Sequence, residues 1–159
     1  MNSQNVLIDT TNRSDISSES SIVNELDQSN NIHLIIRKLG HELEEIRIRS
    51  LDSLISKLES DILSEQSLCQ HKQLFSKLFE MFENPNFVYR EKVLNLLLRF
   101  SKNKSAAKNI VDINGIMFLN SIKNVLKGEN LKSKIDEILM NIVQNSQLDA
   151  NTSGFSTKT

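Results

Sequence analysis

Soft metal-ligand chemistry in this chain rests on His33, His41, His71 and Cys69 alone. A structural zinc site needs about four such groups converging in a tetrahedron. Cys69 and His71 are two residues apart and the other histidines fall on earlier helices, so the spacing predicts capping or surface histidines and a buried, idle thiol. A single cysteine excludes an internal disulfide, which suits a reducing compartment. Hydrolytic motifs are missing as well. The chain has no G-x-S-x-G and no GKS-type phosphate loop, and HELEE at His41 lacks the second histidine of HExxH. Glu44 and Glu45 are adjacent, so they point to different sides of a helix and form part of a solvated face. The reading is a non-catalytic protein with no cofactor.

Charge narrows the partner class. The formal net charge is -1, but residues 1–30 hold Asp9, Asp15, Glu19, Glu25 and Asp27 against Arg13 alone, a balance of -4 that leaves +3 for the remainder. An excess this mild does not demand a polyanion, because nucleic-acid domains are usually more basic and more clustered. Arg37, Lys38, Arg47 and Arg49, and separately Lys102, Lys104 and Lys108, chiefly solubilise the shell. There is no apolar run of the ~18 residues a membrane span needs, and no basic-then-apolar start resembling a signal peptide.

The elements that carry these residues are all helical. One proline, four glycines, no tryptophan and 38% hydrophobic residues fit helices better than a turn-rich β sandwich. Residues 1–30, rich in Ser, Asn, Asp and Thr, predict a disordered tail in which Ile22, Val23 and Leu26 make at most a transient turn. Seven helices follow between residues 31 and 145. They are centred on Ile32–Leu39, Glu42–Leu63, Leu74–Phe82, Val88–Lys102, Ala106–Val111, Ile116–Leu126 and Leu131–Val143. Asn84 and Pro85 stop the third, Ser64–Ser67 form a polar gap before it, and residues 146–159 predict a second tail. Five of the seven residues from Val93 to Arg99 are apolar, so that helix must be covered on several sides and belongs at the centre. The expected core is Leu51, Ile55, Phe79, Val93, Leu94, Leu97, Leu98, Leu119, Ile138 and Ile142.

An internal repeat organises these helices. Arg47, Leu51 and Ile55 align with Arg90, Leu94 and Leu98 at an offset of 43, and with Lys134, Ile138 and Ile142 after a further 44. An all-helical period of roughly 40–47 residues is the signature of armadillo or HEAT repeats. The fold expected is an all-α, armadillo/HEAT-like right-handed stack of about seven helices in two and a half to three repeats. An irregular bundle whose apolar helices align by chance is the alternative. In a stack, equivalent positions come to one side, which makes Arg47, Arg90 and Lys134 a candidate partner-binding ridge.

The segment SAAKNIVDINGIMFLNSIKNVLKGENLKSKIDEILMNIV resembles one armadillo unit: a short helix, a glycine, then two longer helices. More narrowly, IRKLGHELEEIRIRSLDSLISKLE followed by KQLFSKLFEMF, REKVLNLLLRF and NIVDINGIMFL resembles the N-terminal armadillo-like domain of the rotatin family, over about Ile32 to Val143. RKLGH followed by EIR is the most distinctive piece, since apolar periodicity does not require the Gly-His pair. The resemblance implies a non-catalytic scaffold that binds protein partners in centriole, centrosome and ciliary basal-body assembly, in the cytoplasm on the cytoskeleton. Rotatin-family chains are far longer, and the acidic, Ser-rich leader is not a feature the family suggests. A nucleic-acid binder using the basic ridge is the competing function. Armadillo proteins that read extended peptides often carry an asparagine ladder preceded by Trp. Here Asn141 has Leu97 and Leu54 at equivalent positions and no Trp, so a nuclear-import type of groove is not expected and Asn141 reads as an ordinary surface position.

Overall fold

The computed structural model of the chain describes residues 15–84 and 88–147, with side chains from Ser21 to Ser146. The described residues form α1 (Asp15–Leu39), α2 (Glu44–Glu59), α3 (Glu65–Cys69), α4 (Lys72–Glu80), α5 (Arg90–Ser101), α6 (Lys104–Asp112), α7 (Gly115–Val125) and α8 (Glu129–Gln147). A 3-10 turn, Met81–Glu83, prolongs α4. Among the described residues there is no strand. The helices group as a repeat predicts: α1 and α2 make a first unit, α3 to α5 a middle unit, and α6 to α8 a third.

The short helix α3 occupies part of the expected polar gap. Ser64 caps it by accepting from the Ser67 amide, as Asn103 caps α6 by accepting from Ser105 and Ala106. These two caps sit at equivalent points of neighbouring units. A five-residue helix with two buried positions, Leu68 and Cys69, is too short to show a 3.6-residue period, which is why it was not expected.

Helix α1 starts at Asp15 and not near Asn31, so the residues from Asp15 to Asn30, expected as tail, are helical. Burial nevertheless begins only at Ile32, followed by Ile35, Ile36 and Leu39. Once that half is nucleated and docked, each further turn costs little, so the helix runs beyond its packed part. Residues 1–14 and 148–159 of the two expected tails, and Pro85, lie outside the described residues. Helix α2 is shorter than expected. Asp61, at φ 55°, turns the chain left-handed, and the Ile62 and Leu63 amides close back onto the Lys57 carbonyl. The apolar Leu43 and Ile62 therefore fall at the helix ends and are exposed.

Leu51, Val93, Leu94, Leu97, Leu119, Ile138 and Ile142 are completely buried and Phe79 nearly so, while Ile55 and Leu98 are half-buried against the same core. Each fully buried aliphatic side chain contributes about 1.5–3 kcal/mol. The aromatic stripe of α4 packs within its unit and onto the next: Phe75 meets Phe100 of α5 edge-on at 5.9 Å, and Phe79 meets Phe118 of α7 at 4.9 Å. Gly115 lets α7 start against α6, because a Cβ there would lie 2.7 Å from the Ile110 carbonyl oxygen and 2.8 Å from the Phe79 ring.

Candidate partner-binding groove

Helices α2, α5 and α8 are the equivalent last helices of the three units. Helix α5 packs chiefly on α8, and α2 chiefly on α1. The first two units therefore separate on the side where α2 faces α5, leaving an open groove of about 350 Å³. Its apolar lining is Ile55, Leu58 and Leu96. Ser56 and Asn95 supply polar groups, and Glu59 adds an acid. The Lys92 ammonium crosses the groove to Asp52 at 2.6 Å, and this bond holds the lysine's pKa above its ordinary value. Arg99 also lines the groove while bonding Glu65 of α3 at 2.6 Å.

The equivalent junction between α5 and α8 is closed. Ser101, fully buried at the end of α5, accepts from Asn141 through its hydroxyl and from Asn145 through its carbonyl, both at 3.0 Å. Lys134 reaches Glu91 at 2.7 Å, with only 19% of the lysine side chain exposed. Asn141 is thus a half-buried strut between units and not the surface position expected. Behind this seam α6 acts as a wedge, touching α3, α4, α5 and α8, whereas its counterpart α3 packs chiefly on α6. The shorter α3 leaves the first junction without such a wedge.

The candidate ridge residues are each engaged within the domain. Arg47 donates to the carbonyls of His41 and Glu42 at 2.7 and 2.9 Å, clamping the turn between α1 and α2. Arg90 donates to the Asn84 carbonyl at 3.2 Å, and Lys134 pairs with Glu91. Arg47 and Arg90 border neighbouring clefts that share Glu83, so they lie along one edge of the stack. Groove residues Asp52 and Lys92 went unnoticed in the sequence. Their signal was present: opposite charges 40 residues apart, on helices the alignment had already paired.

The soft ligands do not converge as a set. His41 accepts from the Leu43 amide through Nδ1 and thereby orients the turn after α1. His33 and His71 meet edge-on at 5.1 Å, and burial, then His33, holds the His71 imidazole below its ordinary pKa. Burial, with Glu65 nearby and Arg99 opposing, pushes the Cys69 thiol up to about 12, which keeps it protonated and unreactive. Among the described residues no three His, Cys, Asp or Glu side chains are grouped to hold a metal ion, and no helix is long and apolar enough to cross a membrane.

Comparison with known proteins agrees with the repeat architecture. Residues 45–142 match the family described as rotatin, an armadillo repeat protein, centriole functioning. Rotatin of Homo sapiens is 41% identical over 105 residues, and rotatin of Mus musculus 37% over the same length. In each case the match takes in 66% of this chain and 5% of the relative, so the chain spans a small fraction of those proteins. No solved structure matches. With the family matched from α2 into α8 and both relatives agreeing, the chain belongs to the rotatin family, and the helices within that match are the family's N-terminal armadillo domain.

Proposed function

We propose that the domain is a non-catalytic scaffold module in centriole, centrosome and ciliary basal-body assembly, and that it takes hold of a protein partner in the groove between α2 and α5. The observation that carries this reading is the open first junction beside a closed second one. An apolar floor flanked by ion pairs is the form of a protein-binding cleft, with side-chain pockets for affinity and polar edges for register. The family description, centriole functioning, supplies the cellular setting. The competing nucleic-acid reading has less support, since Arg47, Arg90 and Lys134 are occupied by carbonyls and Glu91 and do not form a free basic track.

Proximity labelling in dividing, ciliated cells tests both halves of the proposal. The tagged chain is expected to enrich centriolar proteins, and Ser56→Trp, which fills the groove from an exposed face, is expected to lose part of that set. Enrichment of RNA-binding proteins would reject the setting. An unchanged set with Ser56→Trp would reject the groove.

A further inference from the structure

We propose that the N-terminal half of α1 is a second docking element, and that its partner is an amphipathic helix whose apolar stripe is flanked by lysine or arginine. Ile22, Val23 and Leu26 are 63%, 60% and 63% exposed, although they lie within two turns of one helix face. None of them joins the core, which begins at Ile32. Among the described residues this stripe has no cover.

Local composition gives the exposed turns no helical preference of their own. Asp15 to Asn31 holds five serines, three asparagines and two aspartates, with no alanine, lysine or arginine. Such residues compete with the helix backbone and favour caps or turns, so the segment has little intrinsic reason to remain helical alone. A partner packed on the stripe would supply that reason.

Charge selects the partner. Between Asp15 and Ile36 the helix carries Asp15, Glu19, Glu25 and Asp27 and no lysine or arginine. Glu25 and Asp27 flank Leu26 at about 100° on either side, the helical step, so both edges of the stripe are acidic. A second copy of α1 would set acid against acid, and an anionic lipid surface would be repelled. A helix with basic edges is the complement, as in coiled-coil pairs where flanking charges choose the partner. The surface is distinct from the α2/α5 groove, and either can fail without the other.

The test uses the full chain and a fluorescein-labelled three-heptad peptide with leucine at the stripe positions and lysine at the edges. Controls are a scrambled peptide of equal composition and a glutamate-edged version. By fluorescence anisotropy the wild-type chain is expected to bind the lysine-edged helix at least about tenfold tighter than the scrambled peptide, a difference that a few apolar contacts can supply. Ile22→Ser with Leu26→Ser is expected to abolish that preference while leaving the thermal melt unchanged, because both sites are exposed. Glu25→Lys with Asp27→Lys is expected to transfer it to the glutamate-edged helix. Equal binding of the scrambled peptide, or a preference that survives Ile22→Ser with Leu26→Ser, would overturn the proposal. So would sedimentation of the wild-type chain as a dimer that Leu26→Ser dissociates, since the face would then belong to a second copy.

Discussion

The junction between the first and middle units and the junction between the middle and third units are built from equivalent helices but sealed by different chemistry. At the second, α8 lies along α5 with Ser101, Asn141 and Asn145 bonded across the seam and a largely buried Lys134 on Glu91. At the first, α2 and α5 are joined across the groove by Lys92 and Asp52, both about half exposed, over an open cleft. The wedge helix accounts for the contrast. Nine residues with buried Ala106, Ala107 and Ile110 make α6 long enough and thin enough to bring three helices together, and α3 offers only five residues. In a one-dimensional stack, stability is a sum of such interfaces, so the weaker one is where a partner can enter without disrupting the rest.

The largest effect is expected where α5 serves the whole stack. Leu97→Asp places a charge at a fully buried position of the central helix and is expected to cost more than about 4 kcal/mol, enough to abolish the cooperative melt. Circular dichroism decides it: retained helicity with an unchanged transition would show that α5 is not the common support of both junctions.

A smaller effect separates the two seams. Asn141→Leu removes the donor to the buried Ser101 hydroxyl and is expected to cost about 1–2 kcal/mol, a fall of roughly 2–8 °C in melting temperature. Lys92→Met, which removes the solvent-facing pair with Asp52 and the ammonium's contact with the Tyr89 ring, is expected to leave the melt in place. Equal losses from the two changes would mean that both junctions depend on their polar contacts alike, and the distinction between sealed and open would be lost.

The equivalent helices were legible before the fold, but the contrast between their junctions was not. The alignment of Leu51 with Leu94 and Ile138 located the equivalent helices, because a core position must stay apolar in every unit. The start of α1 was not readable, since the Ser- and Asn-rich turns ahead of Ile32 are helical by continuation of a docked segment and not by their own preference. Helix α3 escaped because five residues hold no period. The groove was hidden for a different reason. Leu58 and Leu96 look like any core residues, and whether a cleft opens beside them depends on how closely two helices approach, which here is set by a third helix elsewhere in the unit. Arg47, Arg90 and Lys134 were visible as a repeated basic position, but their carbonyl and carboxylate partners lie on turns and neighbouring helices that the repeat alone does not locate.

The smallest effect expected is confined to the first junction and depends on pH. His71 stands at the N-cap of α4 without a side-chain capping bond and touches His33 of α1, so α1 meets the middle unit through two imidazoles. Burial and His33 hold the His71 pKa below 6.5, so above that pH the ring is neutral both folded and unfolded. As pH falls through 6.5 the unfolded chain takes up a proton that the folded chain resists, and the contribution of this contact is progressively lost. A proton on His71 would also face the positive end of α4, which adds to the penalty. Hydrogen exchange, corrected for intrinsic rates, should therefore show more frequent opening of α1 amides at pH 5.5 than at pH 7, with α8 unchanged. His71→Gln should remove the difference, whereas a matching loss of protection in α8 would place the acid sensitivity in the stack as a whole and not at its open junction.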